Sequence, residues 1–212
     1  MNFFAHLHLS PDFTEVRVFN FTGDGFKGQG WRKEASLAAR IGVDLHRFID
    51  HYADQHPKTR ELKLQLRPST GRYSGVALDL LGDYFLHKHF AEMNQFHPSI
   101  KQTSSRQFAI QCTHEISNHQ PILKGRAAQM APHLIQQNWL LSYAQWPGLN
   151  AAAKGIAKRH EGAQQLASFF YAPPARLIEA AEVWFLEFYP ELVQAASEFW
   201  SDHPDWVQLQ SS

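Results

Sequence analysis

Apolar residues recur at helical spacing along most of the chain. Between Arg176 and Phe199, the residues Leu177, Ala180, Ala181, Trp184, Phe185 and Phe188 fall at i, i+3, i+4, i+7, i+8 and i+11. That is the stripe of a helix laid on a core. The same period runs through Leu37–Ala53, Val76–Phe90, Phe108–His119, Ala131–Tyr143 and Leu149–His160. Pro57 suits the first position of a further short helix reaching Leu66, since its missing N–H is unpaired there in any case. Pro190 predicts a kink or a split in the last helix. Breaks are expected at Gly28–Gly30, Pro68–Gly71, His97–Pro98, Pro147–Gly148 and Pro173–Pro174. Val16–Phe21 alternates weakly, but a lone strand cannot build a sheet. The pattern predicts an all-α fold of seven to nine helices, in one domain over residues 1–212.

Composition narrows the class. Apolar residues make up 44% of the 212 and charged residues 19%, which fits a soluble globular protein and not a disordered one. No apolar run approaches the roughly 18 residues of a membrane span. His6 and His8 interrupt the apolar N-terminus, which argues against a signal peptide. The single cysteine, Cys112, cannot form an intramolecular disulfide and fits a reducing compartment. The expectation is a cytoplasmic protein without a membrane or nucleic-acid partner. Lys plus Arg equals Asp plus Glu at 20 each, but residues 1–72 hold 11 basic against 8 acidic side chains. That N-terminal excess suits an anionic substrate or an acidic partner.

Candidate chemistry concentrates in two helical rows. His46, Asp50 and Asp54 stand four apart and share one face, as do Asp79, Asp83 and His87. Ordinary surface ion pairs would explain the first row, yet Ile41, Val43, Leu45, Phe48, Ile49 and Tyr52 should bury much of that helix. Buried carboxylates need partners. The second row is flanked by apolar residues on nearly every side. Two carboxylates one turn apart there repel unless a cation or a shared proton lies between them. Asp83 is the foremost candidate ligand, with Asp79 next. Asp24, between two glycines, reads equally well as a turn carboxylate or as an inward ligand. His6 and His8 diverge by about 200° on a helix, so only one can face a site. An oxygen-rich set with one or two imidazoles suits Mn²⁺ or Mg²⁺ better than a closed zinc site. Arg47 or Arg60 has the planar fork that matches phosphate.

With those residues in view, the chain resembles the acyl carrier protein phosphodiesterase family nearly end to end. The opening Asn2-Phe3-Phe4-Ala5-His6-Leu7-His8-Leu9 is similar to its start. Asn20 through Asp24, the run His46-Arg47-Phe48-Ile49-Asp50 with Asp54, Pro57 and Arg60, the segment from Leu78-Asp79 through Asp83 to His89, and Phe188-Tyr189-Pro190 follow in order. The resemblance implies a helical, distantly HD-phosphohydrolase-like fold. It also implies a Mn²⁺-dependent cleavage of the phosphodiester joining 4′-phosphopantetheine to a carrier-protein serine. It carries Asp24, His46, Asp50, Asp79 and Asp83 into the site.

On this reading Asp24, His46, Asp50 and Asp83 hold the metal, Asp79 orients water or a ligand, and Arg47 binds phosphate. Arg60 and His6 contact substrate, and Lys27, Arg32, Lys33, Arg40, Arg60 and Lys63 meet an acidic acyl carrier protein. The chain departs from the pattern at Phe19, at Gly25 and at Tyr84. Tyr84 replaces a histidine whose role would then pass to Tyr84, His87 or His51. Two other readings stay open: an HD-like phosphohydrolase of nucleotides or other small phosphodiesters, and a non-catalytic carrier-protein-binding module.

Overall fold

A computed structural model describes residues 2–100 and 103–211. Thirteen α-helices occur among them, nine of eight residues or more, and no strand. They are α1 (Phe3–His8), α2 (Thr14–Phe21), α3 (Leu37–Gln55), α4 (Pro57–Thr70), α5 (Ser74–Lys88), α6 (Phe90–Met93), α7 (Ser105–Asn118), α8 (Gly125–Gln136), α9 (Trp139–Ser142), α10 (Trp146–Arg159), α11 (Gln164–Tyr171), α12 (Ala175–Ser201) and α13 (Trp206–Gln210). Their apolar faces meet in one continuous core, and no helix among the described residues is long and apolar enough to cross a membrane.

Local chemistry sets several of these boundaries. The Ser36 hydroxyl accepts from the Ala39 N–H and opens α3, while Ser104 and Gln107 form a capping box on α7. Pro57 occupies the first turn of α4, and Gly71, at φ 59°, ends that helix in a conformation that disfavours a Cβ. Asn138 is left-handed at φ 50° and breaks the expected Ala131–Tyr143 helix into α8 and α9. The weakly alternating Val16–Phe21 segment is helical, within α2.

Pro190 does not split the last helix, because α12 runs through it for 27 residues. The packing explains why: Trp184, Phe185, Phe188, Tyr189, Leu192 and Val193 are all buried around it. Their burial outweighs the roughly 3 kcal/mol that an interior proline costs.

Two features aim the N-terminal helices at one another. At Gly42 a Cβ would collide with the Val16 carbonyl and the Phe19 side chain, so the glycine lets α2 and α3 lie backbone to backbone. Arg17 of α2 is buried and reaches Glu115 of α7 at 2.7 and 2.9 Å, with Asp12 at 3.1 Å. A buried guanidinium of this kind is tolerated because two carboxylates pair with it, although its Nε is left without a hydrogen bond.

Candidate active site

His46 and Asp50, one turn apart on α3, stand in the first cluster that the sequence singles out. A buried neighbour orients both imidazoles they involve. Asn20 of α2 is fully buried, and its Nδ2 donates to the His6 carbonyl and to Ser10 Oγ, both at 2.8 Å. That fixes which way the amide points, so Asn20 Oδ1 accepts from His6 Nδ1 at 2.9 Å. The backbone carbonyl of the same residue accepts from His46 Nδ1 at 2.8 Å. Each ring therefore carries its proton on Nδ1 and presents the Nε2 lone pair. The rings stack with centroids 4.3 Å apart. Gly23 makes room for this, since a Cβ there would run into the His46 side chain.

Both Nε2 atoms face the same carboxylate. His6 Nε2 lies 3.2 Å from Asp50 Oδ1, and His46 Nε2 lies 3.3 Å from Asp50 Oδ2 and 3.5 Å from Asp24 Oδ1. One ligand atom from each of His6, His46 and Asp50 falls within 4.8 Å of the other two. His46 Nε2 is buried without a hydrogen bond. Lone pairs facing a carboxylate repel one another unless a proton or a cation stands between them. Burial, and then the neighbouring His46, push the His6 pKa down, which disfavours the proton. Two imidazoles that turn their Nε2 atoms toward a shared carboxylate are the donor set a divalent cation takes.

This group lies in a cleft of about 700 Å³. Asp24 and Asp79 line it on the side of the N-terminal helices, while Tyr143, Arg126 of α8 and Arg159 of α10 line it from the C-terminal half. The other expected residues are placed differently. Asp83 is fully buried, and its two oxygens accept from the backbone N–H groups of Phe4 at 3.1 Å and Ala5 at 3.0 Å. It is not brought to the His6–His46–Asp50 group. Burial raises its pKa to about 7, against the pull of those two N–H groups. Asp83 thus anchors the segment that carries His6.

His6, expected beside the substrate, is instead one of the three converging side chains. His8 does not face solvent: it is fully buried, with Nδ1 3.0 Å from the Tyr189 hydroxyl. The Phe188-Tyr189-Pro190 signature thereby ties α12 to α1.

Arg47 donates to the Phe26 and Gly28 carbonyls at 2.7 and 3.2 Å and lies over the Trp31 ring. Arg60 donates to Gln55 and to the Asp54 carbonyl. Neither lines the cleft. Among the expected docking residues, Arg32 pairs with Asp44, Arg40 with Asp205 and Lys63 with Asp54, whereas Lys27 and Lys33 are exposed. Tyr84 packs edge-on against Trp146 at 5.6 Å. His87 is buried, 2.7 Å from the Leu140 carbonyl through Nε2, and His51 is exposed. None of these three lines the cleft, and the second imidazole comes from His6. The sequence put His6 beside the substrate rather than in the cluster, and it missed the roles of Asn20, Arg126 and Arg159, because no periodicity links these residues to α3. A buried Asn flanked by Phe19 and Phe21 was the one available signal.

Comparison with known proteins gives the chain a family. A family model described as acyl carrier protein phosphodiesterase matches residues 1–192. The chain is 28% identical over 198 residues to the acyl carrier protein phosphodiesterase of Serratia proteamaculans (strain 568), covering 93% of this chain and 98% of the relative. It is 27% identical over 199 residues to that of Escherichia coli O45:K1, with the same coverage. To that of Yersinia pestis it is 28% identical over 198 residues, covering 92% and 97%. No solved structure matches. The chain belongs to the acyl carrier protein phosphodiesterase family.

Proposed function

We propose that the protein is a metal-dependent phosphodiester hydrolase of the cytoplasm. It releases 4′-phosphopantetheine from the serine of holo-acyl carrier protein and returns the apo form. The single observation that carries the metal reading is the convergence of His6 Nε2, His46 Nε2 and the Asp50 carboxylate, with both imidazoles held as lone-pair donors by Asn20. We assign the cation to His6, His46 and Asp50, with Asp24 at its edge, and favour Mn²⁺ over Mg²⁺ because imidazole is present. When bound, such a cation supplies Lewis-acid activation of the phosphoryl group and of water near neutral pH.

The chain's own groups do the rest. Asn20 keeps both Nδ1 protons on carbonyl oxygens, so neither imidazole can turn its lone pair away. Asp79, half-buried on the cleft wall, is placed to orient water or the leaving serine oxygen. The cleft is deep enough to enclose a phosphodiester and part of a pantetheine arm, which supports a substrate presented on a tether. We read the fold as distantly HD-phosphohydrolase-like, on the strength of its helix-borne imidazole–carboxylate set, and residues 1–212 as one catalytic domain. The exposed Lys27 and Lys33 remain candidates for meeting the acidic carrier protein.

The test is release of 4′-phosphopantetheine from holo-acyl carrier protein in the presence of Mn²⁺, compared with Asp50→Ala. We expect product from the wild type and a loss of at least about 100-fold in the variant. No product from the wild type, or equal rates from both, would overturn the reading.

A further inference from the structure

Arg47 and Arg60 are turned away from the cleft, which leaves open what neutralises the phosphate. Two other arginines line the cleft: Arg126 in the first turn of α8 and Arg159 at the last residue of α10. No carboxylate among the described residues pairs with either. Arg126 Nε has only the weak acceptor Met130 Sδ at 3.2 Å, and the Arg159 guanidinium lies along its own helix beside Gly155. Arg17, Arg32 and Arg40, by contrast, each hold a carboxylate.

Both line the same cleft as Tyr143 and the His6–His46–Asp50 group. The cleft therefore brings the carboxylates of Asp24, Asp50 and Asp79 and the imidazoles of His6 and His46 together with the guanidiniums of Arg126 and Arg159. A phosphodiester, whose one negative charge is shared by two non-bridging oxygens, can meet both a cation site and planar guanidinium donors.

We propose that Arg126 and Arg159 bind the phosphodiester of the substrate, in the cleft that also holds His6, His46 and Asp50. The assignment rests on the phosphodiesterase reading above and places phosphate recognition in the C-terminal half of the chain. Position inside the cleft favours phosphate over the outer surface of an acidic protein as the occupant.

The test uses two readouts: KM and kcat for holo-acyl carrier protein at saturating Mn²⁺, and binding of free 4′-phosphopantetheine by calorimetry. Arg126→Ala and Arg159→Ala should each raise KM and weaken 4′-phosphopantetheine binding by about tenfold or more, as expected for lost charge-assisted hydrogen bonds. Both side chains are exposed, so melting temperatures should not move. Arg159→Lys should recover only part of the loss, since it keeps the charge but not the fork. Unchanged 4′-phosphopantetheine binding overturns the proposal, and a KM rise confined to the protein substrate would assign the arginines to docking instead. If the wild type turns over no carrier protein while 4′-phosphopantetheine binding still depends on both arginines, the anion site stands and the reaction assigned above fails.

Discussion

Asn20→Ala separates an orienting role from a merely structural one. The substitution removes the acceptor for His6 Nδ1 and the donor to Ser10 Oγ and the His6 carbonyl. The His6 carbonyl keeps a partner, because Ser10 Oγ also donates to it at 2.9 Å. His46 keeps its partner too, because that is the backbone carbonyl of residue 20. One buried N–H is stranded, at about 1–3 kcal/mol, and a small cavity adds to it. The sum, about 2–4 kcal/mol, corresponds to a fall in Tm of roughly 5–15 °C for a chain of this size. Only His6 is set free to rotate, so manganese affinity should drop by about 10–100-fold, not vanish.

The assay is turnover of holo-acyl carrier protein against Mn²⁺ concentration, run below the variant's melting range, beside thermal melts. The half-saturating Mn²⁺ should shift upward by that factor, with most of kcat recovered at high Mn²⁺. A variant that melts earlier but saturates at the wild-type Mn²⁺ concentration would refute the orienting role.

Asp83 and the Arg17–Glu115 pair give predictions about stability. The Asp83 pKa is about 7 in the folded protein against about 3.8 unfolded, so the folded state holds the extra proton between those values. Its contribution to stability is present below about pH 4 and is lost as pH rises through 7, by up to about 4 kcal/mol. Asp83→Asn removes that dependence, so the stability of the variant relative to wild type in urea melts should rise from pH 4.5 to pH 8. A constant gap would contradict it. Glu115→Gln leaves the buried Arg17 with Asp12 as its carboxylate partner. It should cost about 2–4 kcal/mol in denaturant melts, with KM for the carrier protein unchanged. A loss below about 0.5 kcal/mol would show the pair to be dispensable.

Helix periodicity made α3, α5, α7, α10 and α12 legible, because a buried face repeats within a single element. The His46–Asp50 pair was legible for the same reason. Asp83 sat in an equally persuasive row, yet its partners are backbone N–H groups of α1, which leave no mark in a sequence. His6 joins the set through Asn20, a contact between α1 and α2 that spacing along either helix does not encode. Arg47 follows His46 directly, so it points to a neighbouring face and serves the loop at Phe26–Gly28. Arg126 and Arg159 come from helices that carry no other ligand-type cluster, and only the packing of α8 and α10 against the cleft brings them in. The helix through Pro190 survives because its apolar face is buried over both halves, a tertiary effect that overrides local propensity.

If His6, His46 and Asp50 hold a divalent cation, the protein binds Mn²⁺ in the absence of substrate. Titrating metal-free protein with Mn²⁺, and following free Mn²⁺ by its paramagnetic resonance signal, tests it without any need for turnover. At least one ion should bind per wild-type chain. His46→Ala and Asp50→Ala should each weaken that binding by about 100-fold or more, while Asp83→Asn weakens it far less. A wild type that leaves all Mn²⁺ free, or an Asp50→Ala variant that binds as the wild type does, would contradict it.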